Sequence, residues 1–418
     1  MKIRFLKKLQ PLQLIIPVVL IIIATIIIIL LGRGYRFDIR KNDLRSTGLM
    51  VANSDPNGAQ VFVDGVLKTA TNTTIGIDPG WYTVKISKEG YIPWEKKLRV
   101  QGEVVSNTDA FLFPSNPSLS PLTTTGIINP KLSPDGTKLA YVVPADPTIP
   151  PEKSGVWILT MTDSPLGFNR QPYKIAEMNF VPEGDFELLW SPDGTQLLIS
   201  SPGRIILIDV DRQTTPREVT NLQKLLVEQW NTQKETVLQK QLSLLPQPIL
   251  HLATSAASLI AFSPDEHKVL YEATASATIP NVIEPPLIGT NPTAEVRTIL
   301  PNNIYVYDIK EDKNYFVASR KELVPTTKPD VTTPNSQLPI LNSQFSIRNS
   351  LPLQWFPTSR HLVIAIPGKI DIMEYDRTNW ITVYSGPHQE GFVVPWPGSS
   401  RLIVLTNFNT KASTLPNL

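Results

Sequence analysis

Hydrophobic residues follow two patterns along this chain of 418 residues. Leu14 to Leu31 is an unbroken apolar run without a charge, whereas from Thr47 onward apolar and polar residues alternate in short segments separated by turn residues. About 20 apolar residues in a helix span the ~30 Å hydrocarbon core of a bilayer. Alternation with a period of two is typical of strands that have one buried face. The patterns predict a transmembrane helix at 14–32, followed by an all-β chain.

The apolar run is interpreted as a retained signal anchor, between a basic cytoplasmic tail at 1–13 and a juxtamembrane linker at 33–46. A cleavable signal peptide would have a shorter apolar stretch and a small-residue cleavage site, which Gly32-Arg33-Gly34-Tyr35-Arg36 does not offer. Basic residues lie on both sides of the run, but those before it have no acid among them, which favours a cytoplasmic N-terminus. We therefore expect a single-pass protein of the cell membrane, with most of the chain extracytoplasmic.

Residues 47–114 alternate regularly, and turn residues mark the ends of the strands. Asp64-Gly65 is a dipeptide typical of two-residue hairpin turns, and Asp78-Pro79-Gly80 is a second turn. About 70 residues with this many short strands predict a small antiparallel β-sandwich. The aromatic residues of this stretch are predicted to belong to its core, with a sugar-stacking surface as the alternative. These residues are Trp81, Tyr82, Tyr91 and Trp94.

An ordered set of short motifs runs through the same residues: Pro56-Asn57-Gly58-Ala59, then 61–65 (VFVDG), then 79–82 (PGWY), then Gly90-Tyr91 with Trp94. This set resembles the PEGA domain, a family of small β modules on envelope proteins of bacteria and archaea. Asn57 stands where the family most often has Glu, in a predicted exposed turn. The resemblance implies a structural or surface-attachment module at 47–114, without catalytic residues.

A ten-residue motif recurs downstream and predicts the organisation of the rest of the chain. Each copy has the pattern of strand, tight turn and strand, with Ser-Pro-Asp-Gly in the turn of the first two copies. Further strands follow most copies, which predicts four-stranded blades and a β-propeller of five to seven blades at 120–418, with Ile127–Leu132 as the candidate for closing the ring. The copies are Leu132–Tyr141, Trp190–Ile199, Phe262–Tyr271, and more weakly Trp355–Ile364 and Pro395–Val404.

This repeat pattern resembles the TolB-like and WD40-like propellers of envelope proteins and of prolyl-oligopeptidase-type peptidases. The resemblance implies a fold and no particular activity. Leu and Trp residues at near-helical spacing predict a helical insertion at 221–245. Its apolar stripe is expected to pack on the propeller, with a membrane-surface or partner-binding helix as the alternative. Ser276–Pro301 and Val324–Ser343 are long loops rich in Pro, Thr and Asn. They are either a binding surface, whose deletion would abolish partner capture, or tolerated insertions.

Composition excludes several kinds of chemistry. The net charge is only +2, which gives no electrostatic basis for nucleic-acid binding, and without cysteine there are no disulfides, thiolate metal sites or Cys nucleophiles. The chain lacks a G-x-S-x-G motif, and its four histidines, at 251, 267, 361 and 388, are isolated in the sequence. Asp135, Asp193 and Asp265 are predicted to cap their own turns instead of binding a metal. No catalytic, cofactor-binding or metal-binding residues are predicted.

These observations predict a non-enzymatic, membrane-anchored protein of the cell envelope that mediates protein or glycan binding or scaffolding at the cell surface. Its expected partners are the lipid bilayer, through one helix, and an envelope protein or glycan. The alternative is an envelope hydrolase or lyase with a site in the propeller channel. Several acidic, Arg or His side chains converging there would favour the enzyme, and small and apolar residues would favour binding. A third hypothesis is a sensor whose basic tail reports binding to a cytoplasmic partner.

Overall fold

The computed structural model describes residues 16–29, 35–38, 43–102, 104–147, 149–163, 171–212, 214–323, 351–407 and 415–418. Within these ranges the apolar run forms helix α1 over 16–29, and its expected ends at 14 and 32 lie outside them. None of the helices in these ranges combines the length and the apolar character that are needed to cross a bilayer. The predicted anchor, tail and linker stay predictions.

The chain divides into two compact units. The first unit comprises Met1–Asn116 and a later segment, Ile283–Ala294. The second unit comprises Pro117–Val282 and Glu295–Leu418. Both units are built mostly of β-strands, as the alternating pattern predicts.

The first unit contains a hairpin and a two-sheet sandwich. Its strands are β1 (Tyr35–Asp38), β2 (Asp43–Ser46), β3 (Gly48–Asp55), β4 (Gln60–Val63), β5 (Val66–Ala70), β6 (Thr73–Ile77), β7 (Gly80–Ser87), β8 (Trp94–Val100) and β9 (Val105–Phe111). One sheet has the order β6-β3-β9 and the other β5-β4-β7-β8. A core that includes Met50, Val61, Val84, Ile86 and Leu98 lies between them. The two packed sheets form a sandwich as predicted, but the prediction that it is antiparallel throughout is wrong.

Its strands are not all antiparallel, because β3 and β9 pair in parallel. β9 follows β8, which belongs to the other sheet, so the chain returns to β3 by a crossover and not by a hairpin. The predicted turn at Asp64-Gly65 joins β4 to β5 with φ of +48° and +77°, the positive values that a two-residue hairpin turn of this kind requires.

The second unit consists of successive antiparallel sheets, numbered here in chain order. Sheet 1 is β10 (Ile128–Leu132), β11 (Lys138–Val143), β12 (Gly155–Thr160) and β13 (Tyr173–Ala176); sheet 2 is β14 (Glu187–Trp190), β15 (Gln196–Ser201), β16 (Arg204–Asp209) and β17 (Arg217–Glu218). Helices α2 (Gln223–Leu242) and α3 (Gln247–Ser255) follow. Single 3-10 turns lie at Pro151–Lys153, Met178–Phe180 and Thr220–Leu222.

Sheet 3 begins with β18 (Ala257–Phe262) and β19 (Lys268–Ala273). A short separate pair, β20 (Ala277–Thr278) and β21 (Thr298–Ile299), precedes its last two strands, β22 (Asn303–Asp308) and β23 (Lys313–Ser319), and α4 (Arg320–Leu323) follows. Sheet 4 is β24 (Leu353–Trp355), β25 (His361–Ile366), β26 (Lys369–Glu374) and β27 (Ile381–Ser385), and sheet 5 is the hairpin of β28 (Val393–Pro395) and β29 (Leu402–Val404). Across the described residues, the second unit therefore has four sheets of the predicted four strands and two sheets of two strands, β20–β21 and β28–β29.

Three hydrophobic cores join sheets of the second unit to one another. One core joins sheets 1 and 2 and includes Val142 and Leu188, and another joins sheets 3 and 4 and includes Val306 and Leu362. A third core joins sheet 5 back to sheet 1. In the part of the chain that the structure describes, no sheet closes on itself. Separate sheets of the second unit contact one another face to face, which buries both faces of most inner strands.

The helical insertion lies between sheets 2 and 3. Trp230 of α2 packs in one core with Leu207 of sheet 2, and Leu238 and Leu242 pack in another with Val269 of sheet 3. The prediction that this stripe packs on the propeller is confirmed for these residues. Helix α2 lies within the predicted insertion at 221–245, and a further helix that the sequence analysis does not predict, α3, follows Pro246.

A short C-terminal segment joins sheet 5 to the start of the second unit. The backbone N–H of Leu122 donates to Leu418 O and that of Ile127 donates to Pro416 O, each at 2.9 Å, while Asn417 pairs with Thr406. The prediction that Ile127–Leu132 supplies this connection is wrong for 128–132, which form the first strand of sheet 1. Of the predicted segment, only Ile127 contacts 416–418 in this way.

Candidate functional site

The repeated motif forms a turn that its own side chains hold together. In the second copy, Ser191 Oγ donates to Asp193 Oδ1 at 2.6 Å, and the backbone N–H of Thr195 donates to the same oxygen at 3.1 Å. The backbone N–H of Gln196 in turn donates to Ser191 Oγ at 2.9 Å. Gly194 lies between them with φ of +67°. The first and third copies repeat these bonds, so each aspartate caps its own turn as predicted.

These hydrogen bonds set the ionisation of the three aspartates. The bond from Ser191 lowers the pKa of Asp193, and those from Thr195 add to it against a smaller effect of burial. At Asp135 and Asp265 burial alone would raise the pKa, but the serine of each turn, the following backbone N–H and the next lysine outweigh it. All three carboxylates are therefore held ionised at neutral pH with their oxygens engaged in the turns.

The structure does not bring the four histidines together. His251 lies on α3, His267 follows the third turn, His361 lies on β25 with Nδ1 2.8 Å from Thr358 Oγ1, and His388 lies between β27 and β28. Among the described residues, no group of three or more His, Asp or Glu side chains is arranged to hold a metal ion.

The motif turns converge on a pocket of about 780 Å³ in the second unit. Four of the five motif copies each place their proline in its wall: Pro134, Pro264, Pro357 and Pro397. The first strands of sheets 3 and 4 supply apolar wall residues, namely Ile260, Ala261, Phe262, Leu353 and Trp355. The second copy is absent from the wall, and Gln241 of α2 lines the pocket as well. Sequence reasoning missed this convergence, although the repeated proline was its signal.

Few polar side chains line the pocket, and most already have hydrogen-bond partners. Gln241 Nε2 donates to Glu266 Oε1 at 3.1 Å, Gln354 Nε2 donates to the backbone oxygen of Val393, and Asp135 is engaged in its turn. The lining contains neither His nor Arg. The side chains of the wall are mainly proline and apolar residues, with two acids, Asp135 and Glu266.

Tryptophan side chains join neighbouring sheets around this pocket. Trp190 Nε1 of sheet 2 donates to Lys131 O of sheet 1 at 2.9 Å, and Trp355 Nε1 of sheet 4 donates to Ala261 O of sheet 3 at 3.3 Å. Trp396 Nε1, next to β28, donates to Asp163 Oδ1 at 2.8 Å. Trp355 and Ala261 also line the pocket, so the hydrogen bond between them joins sheets 3 and 4 within its wall.

The aromatic residues of the first unit divide between its core and its surface. Trp94 is 5% exposed and belongs to the core, as predicted, and Tyr82 and Tyr91 pack against that core half-buried. The core prediction is wrong for Trp81, which is 51% exposed. Val84 and Ile86 of β7 point inward, so the alternation along the strand turns Trp81 to the outer face.

The two predicted long loops differ in how much of each the structure describes. The prediction at Val324–Ser343 lies outside the described residues. Within Ser276–Pro301 the pair β20–β21 forms the base, and Ile283–Ala294 belongs to the first unit, where the backbone N–H of Gly289 donates to Gln101 Oε1 at 3.2 Å. Neither loop is tested as a binding surface.

Comparison with known proteins supports the two resemblances to different extents. Residues 47–112 match the model of the PEGA domain. No curated protein matches the chain. A TolB-like protein from Agrobacterium tumefaciens is 14% identical, with 68% of this chain and 71% of that one covered and a TM-score of 0.21. The β-propeller domain of Cps50 (Swd1) from Myceliophteria thermophila is 10% identical, with 70% and 96% covered and a TM-score of 0.26. At these TM-scores the structural likenesses carry no argument about function.

Proposed function

We propose that this chain is a non-enzymatic, membrane-anchored protein of the cell envelope whose propeller-like unit binds a partner protein in the pocket lined by the motif prolines. The pocket itself is the observation that supports this role. Its volume of about 780 Å³ is in the range of specific ligand sites, and the motif turns that form its wall are rigid. The match to the PEGA domain at 47–112 is consistent with attachment or scaffolding at a surface.

The chemistry of the wall defines the partner. Prolines and large apolar side chains offer apolar contact area, and the polar groups between them offer hydrogen bonds, so the bound segment carries both apolar and polar groups. Asp135 and Glu266 add negative charge at the wall, which favours a segment with one or two basic residues. Both carboxylates already accept hydrogen bonds from the protein, which leaves them poorly placed to act as a general acid and base.

A pocket-filling variant tests this role. Ala261→Trp introduces a large side chain into the wall, and Ala275→Trp makes the same change at an exposed position away from it. Crosslinking and pull-down from native membranes should recover a partner with the wild type and with Ala275→Trp, and lose it with Ala261→Trp. Equal recovery by both variants, at matched thermal stability, would contradict the proposed site.

The membrane location has its own test. Protease added outside intact spheroplasts should degrade the chain from Thr47 onward if the propeller-like unit is extracytoplasmic. Full protection of that unit in intact spheroplasts, with degradation after lysis, would place it inside and overturn the proposed topology.

A further inference from the structure

The outer face of the sheet β5-β4-β7-β8 in the first unit carries an exposed tryptophan on β7 beside two cations of β8. In the ladder that joins β7 to β8, Trp81 lies opposite Arg99 and Thr83 lies opposite Lys97. These four side chains share the face turned away from the core, because their neighbours along each strand, Val84 and Leu98 among them, are buried. We call this surface the Trp81 face.

Lys97 and Arg99 of the Trp81 face are not paired with carboxylates among the described residues. Lys97 Nζ lies 5.6 Å from the centre of the Trp81 ring, which is a cation–π distance. Neither Lys97 nor Arg99 forms an ion pair with a carboxylate in the described ranges, and both side chains are exposed. The face therefore presents an aromatic ring and two positive charges to solvent, side by side.

The backbone beneath this face is held firmly. Seven residue pairs join β7 to β8, from Gly80↔Val100 to Ile86↔Trp94. The backbone N–H of Thr83 also donates to Asp64 Oδ1 at 2.8 Å, which fixes β7 to the turn at the end of β4. A ligand at this face meets side chains mounted on a packed sheet, so little backbone ordering is needed for binding.

We propose that the Trp81 face binds a linear polysaccharide whose sugars carry carboxylates. An exposed indole offers a flat apolar surface for a sugar ring, and the two cations beside it on β8 complement negative charge along the same chain. The neighbours of Trp81 argue against insertion into a bilayer, because the side chains beside it on this face, Thr83, Lys97 and Arg99, are polar or charged. This inference rests on the proposed binding role, but its site is separate from the pocket.

Binding of the full-length chain to polygalacturonate, measured against neutral dextran, tests the inference. We expect Trp81→Ala to weaken binding by at least about tenfold, and the double variant Lys97→Gln with Arg99→Gln to do the same. The binding that remains in the double variant should depend less on salt concentration than that of the wild type. Lys234→Gln with Lys321→Gln removes the same charge from exposed positions of the second unit and should change the affinity by less than about twofold. Circular dichroism and thermal unfolding establish that each variant is folded.

Several results would overturn the inference. They are wild-type binding no stronger than to dextran, equal weakening by the control pair, unchanged affinity of a folded Trp81→Ala variant, and binding to phosphatidylglycerol vesicles but not to the polymer. Ala261→Trp separates this site from the pocket. Polymer binding that survives in this variant, even if no partner is captured by the pocket, would support the Trp81 face on its own.

Discussion

The turn of the second motif copy allows a direct test of how the repeated aspartate stabilises the second unit. Asp193→Ala removes a carboxylate that accepts hydrogen bonds from Ser191 Oγ, Thr195 Oγ1 and the backbone N–H of Thr195, at 2.6, 2.9 and 3.1 Å. A hydrogen bond to a charged group contributes about 1.5–3 kcal/mol when it is shielded from water. Because this carboxylate is exposed, we expect the three bonds together to contribute about 1–2 kcal/mol to the free energy of unfolding.

Asp193→Asn separates the charge from the shape of the side chain. The hydrogen bond from Ser191 and those from Thr195 hold the pKa of Asp193 below its ordinary value. A folded-state pKa below the unfolded value stabilises the folded state above about pH 4, and this contribution disappears as the pH falls through the folded-state pKa. The free energy of unfolding lost in Asp193→Asn should therefore be largest near neutral pH and shrink in acid.

Urea unfolding followed by circular dichroism at several pH values measures both effects. Asp185→Ala is the matched control, since Asp185 is an exposed acid outside the motif turns. The reasoning is refuted if Asp193→Ala unfolds at the same urea concentration as Asp185→Ala. A loss in Asp193→Asn that is equal at neutral and acid pH would refute the electrostatic part alone.

Three further substitutions have expected outcomes. Ser399 has a φ of +59° and occupies, in the fifth copy, the position of the glycine in the first two copies. Ser399→Gly should therefore raise the free energy of unfolding by about 0.5–1 kcal/mol. The melting temperature should rise in this variant and not in Ser400→Gly. Trp230→Ala should lower it by about 3–5 kcal/mol because the indole is 7% exposed between α2 and sheet 2, whereas Leu225→Ala, at an exposed position on the same helix, should change the urea midpoint little. Thr382 Oγ1 donates to the fully buried Asp371 at 2.7 Å. Thr382→Val should lower the free energy of unfolding by about 1–3 kcal/mol, and Thr382→Ser, which keeps the hydroxyl, should lower it much less. Equal stability of these two variants would contradict this prediction.

Local signals in the sequence predicted local structure well. The Ser-Pro-Asp-Gly turns and the Asp64-Gly65 hairpin were predictable because the residues that make each turn are adjacent in the chain. The parallel pairing of β3 with β9 was not, because it depends on a crossover between strands more than 50 residues apart. Helix α2 was predictable from the spacing of its Leu and Trp residues, whereas α3, beyond Pro246, was not predicted.

The candidate site was predictable only in part. The repeat identified which residues form the turns, but their convergence on one pocket depends on how the sheets pack, which no single copy encodes. Trp81 was placed in the core because large aromatic residues are usually buried. The alternation along β7 predicts its position correctly, because Val84 and Ile86 point inward and Trp81 lies on the opposite face.

The bonds that join 416–418 to Leu122 and Ile127 have a mechanical consequence. In an open array of repeats, the outermost repeat can fray while the others stay folded. Here sheet 5 shares a core with sheet 1, so neither of them is an end in that sense. A pulling force applied between residue 117 and residue 418 acts first on this junction. Once it separates, sheets 1 and 5 lose a shared face together, so rupture of the second unit should start as one large event and not as the release of single sheets.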